Sequence, residues 1–375
     1  KERFESRKTS RLTEELGNRV RALRQANVIG VTATSCAINL DLIKAVQPRV
    51  LIVEEAAEIL EVNTIACMAK KVEHVVLIGD HQQLRPNVEC FEVQRRCHLR
   101  YSLFERLIAN DFPHSVLRTQ RRMHPDISIA VSQFYTEGMH DHDRVTEIRQ
   151  PDLEHPLSRL LGHRALFWNH NTAESNAEVG VSKINKTEAK MINTFVKLIQ
   201  QYGVLPKSIT VLSYYLGQVR YLRKTLANEL IDVRTVDSFQ GDENDVVIVS
   251  LVRRDNATGH MRMENRMIVA LSRARLFSLV VGSQELVQQF SHWKRALSHY
   301  ELTPKLQVRC PNHPEKTAEL TPEANHQFCR ERCAHIFDDC RHQCTQLCHS
   351  TPHSAGCQLK VEVFPFNCFD ASHKI

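Results

Sequence analysis

Two parts of this 375-residue sequence carry residues whose types and spacing suit chemistry. The first is a series of polar clusters that follow short apolar runs. Glu54 and Glu55 come directly after Val50–Val53 (VLIV). Adjacent carboxylates at the end of a buried strand are costly unless a cation or a proton relay uses them. Glu54 suits a Mg²⁺ held partly through water, and Glu55 suits a general base for an attacking water. An acidic start to a helix accounts for the pair equally well. After Val75–Ile78 comes Gly79-Asp80-His81-Gln82-Gln83-Leu84-Arg85-Pro86, an ordinary turn composition in which a glutamine could also sense a phosphate or orient water. Leu117–Pro125 holds Arg118, Arg121 and Arg122, either a solvated basic face or an anion site. Val236–Asp245 (VDSFQGDEND) and Val269–Arg275 (VALSRAR) complete the series. Arginine offers phosphate a planar fork of donors and a charge that does not titrate away.

The second part is the end of the chain, where eight of the twelve cysteines fall from Cys310 onward. The candidate ligands there are Cys329, Cys333, Cys340, His342, Cys344, Cys348, His349, His353 and Cys357. Short gaps between them let a loop fold around a tetrahedral Zn²⁺, which would have to supply the folding energy of so apolar-poor a segment. There are more candidates than one ion needs, so either two ions bind or some residues are spectators, His349 first among them. Cys310 and His313 (CPNH) belong to a further site or to a structural turn, and the turn is the favoured reading. A secreted disulfide framework rarely interleaves histidine in this way. The expected compartment is therefore reducing and intracellular, the cytoplasm before the nucleus.

These clusters need elements to position them. The length suggests two or three folded units. VLIV, Val75–Ile78, Ile209–Leu212, Val246–Val249 and Leu279–Val281 read as strands buried on both faces, as in a parallel sheet covered by helices. Between them, Tyr101–Ala109, Asp126–Tyr135, Thr187–Tyr202 and Gly217–Leu230 have helical period. The fold class is α/β. Residues 140–185 are polar and weakly periodic and read as loops or a divergent connection. Residues 1–27 form a basic lead-in, helical through the stripe Leu12, Leu16, Val20 and Leu23. No run of about 18 apolar residues occurs, so no membrane-spanning helix is expected. The net charge of +6 permits nucleic-acid binding without requiring it.

Together, and in this order, the Glu-Glu-Ala-Ala run, GDHQQLRP, QRRMHP, VDSFQGDENDVVIVSLVR and VALSRAR resemble the motifs of superfamily 1 helicases, specifically the up-frameshift-like branch. The match covers residues 28–282. The resemblance implies two RecA-like parallel-sheet domains, with ATP in the cleft between them and single-stranded RNA across the top. It implies that Glu54 holds Mg²⁺ and that Glu55 is the general base. Gln83, Arg122 and Arg273 would reach the γ-phosphate, and Asp80, Gln240, Gly241 and Glu243 would face the nucleotide. Thr32 and Thr34, with Tyr215 and Gln218, fall where the family contacts the nucleic-acid backbone; a strand threonine and a core-edge tyrosine explain them as well. The pattern Cys340-x-His342-x-Cys344-x₃-Cys348-His349-x₃-His353-x₃-Cys357 is similar to the zinc finger named after the X-box-binding nuclear factor. Helicases carrying that finger are linked to RNA surveillance, small-RNA silencing and antiviral defence.

Domains are expected over residues 28–118 (the first, lacking its front), 119–300 (the second) and 301–375 (the zinc region, core 329–357, with possible protein partners). None of the twelve glycines precedes a lysine, so the sequence holds no G-x-x-x-x-G-K-[ST] phosphate loop. With Lys1 in first place, the chain reads as a fragment with little ATPase activity. Two smaller departures are Glu54, where the wider superfamily has Asp, and Arg121, where an aromatic residue is common. The alternative function is a non-catalytic, RNA-binding zinc scaffold. A ubiquitin ligase is the weakest reading, because close Cys-x-His-x-Cys alternation does not match RING spacing.

Overall fold

A computed structural model describes residues 14–88, 90–146, 156–177, 182–227, 230–255, 261–321 and 328–349, with Gly180, Gly259 and Cys357. His353 and Cys368 lie outside the described residues, as do the first 13 positions of the basic lead-in. The chain forms two compact units, residues 1–116 and 117–375.

In the first unit, residues 14–23 are helical, with Leu16, Val20 and Leu23 the half-buried positions. Helix α1 (Ala33–Ile38) leads to strand β1 (Val50–Val53), helix α2 (Glu61–Ala66), strand β2 (His74–Leu77) and helix α3 (Leu103–Ala109). β1 and β2 pair in parallel, Val50 opposite His74 and Val53 opposite Leu77. The expectation of burial on both faces fails for this pair: Ile52 is 60% exposed and Val76 45%. Among the described residues the sheet has only these two strands, too narrow a ribbon for helices to cover both faces.

The second unit holds a broad sheet. Its elements run α4 (Pro125–Ser132), β3 (Ala165–Asn169), α5 (Lys186–Gln201), β4 (Ile209–Ser213), α6 (Leu216–Leu226), β5 (Asp232–Thr235), β6 (Asn244–Ser250), α7 (Glu264–Leu271), β7 (Ala274–Gly282), α8 (Ser291–Leu297) and β8 (Glu301–Thr303). A hairpin of β9 (Leu306–Arg309) and β10 (Thr317–Leu320) follows. The six strands β3 to β8 pair in parallel in the order β8-β3-β7-β6-β4-β5. Here the apolar runs behave as read: Val246 to Val249 and Leu279 to Val281 have no exposure. Helix α5 starts at Asn185, whose side chain accepts from the Thr187 and Glu188 amides, and it lays Met191, Ile192, Phe195, Leu198 and Ile199 onto the sheet.

One strand was hidden from pattern reading. β3 (ALFWN) lies inside the segment expected to be loops and connections, yet it is an interior strand of the sheet, between β8 and β7. Its five residues are too few to show a period; polar Arg164 precedes them and polar Asn169 is the last of them. Gly282, at the end of β7, abuts Leu251; an added Cβ would lie 2.7 Å from Leu251 Cδ1 and 2.9 Å from its Cβ. Among the described residues, no helix is long and apolar enough to cross a membrane.

Overpacking a core of this kind costs about 1–3 kcal/mol. Gly282→Ala should lower the stability of the second unit by about that amount. Urea unfolding followed by tryptophan fluorescence reads it selectively, because Trp168 and Trp293, the chain's two tryptophans, both lie buried in that unit.

Candidate nucleotide and metal sites

In the first unit the two motif loops interlock at the carboxyl ends of β1 and β2. The Ala56 amide donates to the Ile78 carbonyl at 2.9 Å, and the Ile78 amide donates to Val53 at 2.8 Å. Gly79 lets the loops meet, since a Cβ there would stand 3.0 Å from the Ala57 nitrogen and 3.1 Å from that of Ala56. Glu54 is exposed and Glu55 half-buried, with a φ of 49° that puts its backbone in the left-handed region. Asp80 organises the second loop: its carboxylate accepts from the Gln82 amide at 2.9 Å and from Gln83 Nε2 at 2.8 Å. Thr32 and Thr34 are exposed, but not on a strand. Thr32 caps α1, accepting from the Ser35 amide at 3.1 Å.

Elsewhere in this unit, Cys36 and Cys67 are buried neighbours. Burial first, then contact with Cys36, pushes the Cys67 thiol up to about 12. These are core thiols, not nucleophiles.

In the second unit, three motifs distant in sequence converge at the amino ends of β6 and β7. Gln120 shapes the first, its Oε1 accepting from the Arg122 and Met123 amides at 2.9 and 2.8 Å. Arg122 then pairs with Glu243 and donates to the Ser272 carbonyl at 3.2 Å. Arg275 reaches the same Glu243 at 3.4 Å and Asp245 at 2.8 Å. Gly241, at φ 84°, makes the turn that delivers Glu243, and Gln240 beside it is half-buried. Arg273 is 1% exposed and donates to the Val269 carbonyl at 3.0 Å and to Ser272 Oγ at 2.9 Å. Of the two VALSRAR arginines, Arg275 is the one that reaches solvent.

At the opposite, carboxyl edge of this sheet, Tyr215 and Gln218 turn inward. Gln218 has no exposure; its Oε1 accepts from the Asn185 amide at 2.8 Å, and its Nε2 donates to the Asn185 carbonyl and to Ser250 Oγ, each at 3.1 Å. Tyr215 is buried at the start of α6. The residues expected to meet a nucleic-acid strand here are therefore interior ones. Gln218 joins a network that pattern reading missed, centred on fully buried Glu188. Its carboxylate accepts from the Val252 amide at 2.8 Å and from Ser250 Oγ, and lies 2.9 Å from His170 Nε2. Asn185 Nδ2 donates to the Val252 carbonyl at 3.0 Å, holding Val252 at a φ of 71° that a β-branched residue adopts only under constraint. The signal was present as Asn185-x-x-Glu188 ahead of an apolar helical face, a helix-start signature.

The Cys/His residues gather into three groups whose ligand atoms lie within 4.8 Å of one another: Cys310, His313, Cys329 and Cys348; Cys333, Cys344 and His349; Cys340, His342 and Cys357. Sequence spacing treated Cys310 and His313 as a turn and His349 as a spectator. The geometry differs, with Cys310 Sγ 3.7 Å from His313 Nδ1 and Cys344 Sγ 3.6 Å from His349 Nε2. Cys348 and His349, though adjacent in sequence, fall in different groups. Burial pushes the Cys348 thiol up to about 12. At Cys310 burial acts the same way, but hydrogen bonds from His313, the Asn312 backbone and Cys348 outweigh it and hold the thiol at about 7.

Two family models, each described as an AAA domain, match residues 1–89 and 99–285. The chain is 33% identical over 353 residues to the mouse "NFX1-type zinc finger-containing protein 1", covering 90% of this chain and 18% of that protein. It is 38% identical over 277 residues to the Schizosaccharomyces pombe "Helicase required for RNAi-mediated heterochromatin assembly 1", covering 71% of this chain and 27% of that protein. A third relative, the Caenorhabditis elegans "Regulator of nonsense transcripts 1", is 30% identical over 295 residues, covering 74% of this chain and 27% of that protein. The chain thus spans roughly a fifth to a quarter of the length of these relatives.

Removing one member of a buried charge network leaves its partners without compensation, at a cost of about 3 kcal/mol or more. Glu188→Ala should destabilise the second unit by that amount in the tryptophan unfolding transition. Glu188→Gln, which keeps an acceptor for the Val252 amide, should lose less.

Proposed function

Because this chain belongs to the superfamily 1 helicases, in the up-frameshift-like branch whose members include the zinc-finger helicases of the X-box-factor type, we propose that it serves ATP-dependent remodelling of single-stranded RNA. The observation that carries the proposal is the meeting of Arg122, Arg275 and Glu243, drawn from three separated motifs, at one end of the second unit's sheet. A carboxylate there occupies two arginine forks that also match phosphate oxygens.

The residue types fit the groups they would handle. Mg²⁺, when bound, would offset phosphate charge, and an exposed carboxylate such as Glu54 is the oxygen ligand that ion takes. Glu55 would take the proton of the attacking water. Asp80 holds the Gln83 amide, so Gln83 would present an oriented donor or acceptor to phosphate or water. Arg122 would exchange Glu243 for phosphate, with Gln240 and Gly241 setting the position of that loop. Arg273, packed beneath, would act by fixing Ser272 and Asp242, or reach phosphate after a local shift. Exposed Thr32 and Thr34 would donate to the RNA backbone. RNA as the substrate class rests on the relatives, whose names speak of nonsense transcripts and RNAi. RNA surveillance or small-RNA silencing is the process we infer.

None of the chain's glycines carries the lysine of a phosphate loop, which favours nucleic-acid binding without rapid turnover by these 375 residues alone. The test is fluorescence anisotropy with single-stranded RNA and DNA of equal length, alongside phosphate release. We expect tighter binding to RNA, weakening with salt, and little ATP hydrolysis. Equal or tighter binding to DNA would remove the RNA reading. In a chimaera that supplies a lysine-bearing phosphate loop ahead of Val28, Glu55→Gln should cut RNA-stimulated turnover about 100-fold. Undiminished turnover would remove Glu55 as the base.

A further inference from the structure

The zinc-finger spacing groups Cys348 with Cys340, His342 and Cys344, but the fold takes Cys348 out of that group. It lies 3.5 Å from Cys310 Sγ, while Cys329 Sγ lies 3.5 Å from His313 Nδ1 and Cys310 Sγ 3.7 Å from the same nitrogen. Around a tetrahedral Zn²⁺ with ordinary Zn–S and Zn–N lengths, ligand atoms stand about 3.6–3.8 Å apart. Three of the six edges thus lie within a few tenths of an ångström of those of such a tetrahedron, and all four atoms, from three cysteines and one imidazole, lie within 4.8 Å of one another.

The surroundings suit it as well. Three thiolates overbalance a dication, and the excess charge needs donors. Asn312 Nδ2 donates to Cys348 Sγ at 3.3 Å, and the Tyr202 hydroxyl, from the end of α5, donates to Cys310 Sγ at 3.8 Å. Gln201 Nε2 donates to the Cys348 carbonyl at 3.2 Å. Cys310, Cys329 and Cys348 are each at most 1% exposed. They share one continuous core with Ile199 of α5, with Tyr202 that caps the helix, and with Leu306, Val308 and Leu320 of the β9–β10 hairpin. The other two Cys/His groups show no such continuity: none of their members belongs to this core.

We propose that Cys310, His313, Cys329 and Cys348 bind a structural Zn²⁺ that is part of the second unit's core, so that loading this site stabilises the α/β domain and not only the zinc-finger segment. The proposal is independent of the RNA and ATP readings. It draws on a knuckle, CPNH, that lies upstream of the finger pattern, and it removes a cysteine from that pattern.

The experiment measures zinc content by elemental mass spectrometry and thermal unfolding by tryptophan fluorescence, on the full chain. Cys310→Ser should lose one equivalent of zinc and lower the tryptophan transition by about 5 °C or more. Cys340→Ser should change the zinc content without moving that transition by more than about 1 °C. An undiminished zinc content in Cys310→Ser overturns the site; an unmoved transition overturns the coupling. Should Cys310→Ser fail to fold, Tyr202→Phe carries the test. That variant should keep its zinc yet surrender one equivalent to a chelator about tenfold faster, and an unchanged rate overturns the assignment.

Discussion

Burial of β4, β6 and β7 on both faces is the constraint on which the rest of the second unit depends. Val246 to Val249 pair with Ile209 to Leu212 on one side and with Phe277 to Val280 on the other, without exposure. A parallel sheet sealed in this way has polar chemistry available only at the strand ends, where the backbone leaves the apolar layer. Both ends are used, for opposite purposes. The amino ends of β6 and β7 collect half-exposed arginines around Glu243. The carboxyl ends of β4 and β6 bury Gln218, Ser250 and Glu188.

That division explains why apparently equivalent motif residues differ so much in environment. A charge at the amino ends keeps contact with water, and its ion pairs are exchangeable, because a half-exposed pair has little net stability to lose. Glu188 has no such freedom. Desolvated, it is held by an amide, a hydroxyl and an imidazole, and the Val252 backbone conformation is held with it. The first leaves its charged groups in contact with solvent; the second locks the strand-end loops in place.

The same core continues beyond the sheet. Helix α5 covers one face of the strands and ends at Tyr202, whose ring packs 6.2 Å from that of Phe328 and whose hydroxyl meets Cys310. The hairpin and the first Cys/His group therefore extend the apolar layer of the α/β domain. Along the chain the three ligand groups interlace, Cys348 of one group lying between Cys344 and His349 of another. Such interlacing requires the segment to fold as a whole, since no contiguous stretch contains a complete group of its own.

Much of this was legible in the residues. The apolar runs marked five strands, amphipathic spacing marked α5 and α6, and the order of the polar motifs marked a helicase. Those signals are local: a strand buried on both faces must be apolar throughout, and a phosphate-handling loop must carry its own donors. What only the tertiary structure decided is which residues meet. It placed β3 inside the sheet between β8 and β7, turned Tyr215, Gln218 and Arg273 inward, left Arg275 at the surface, exposed β1 and β2, and assigned Cys348 to Cys310 across 38 positions. Side-chain identity limits the bonds a residue can make. Which bond forms depends on the partner that packing brings within reach, and that partner is rarely a neighbour in sequence.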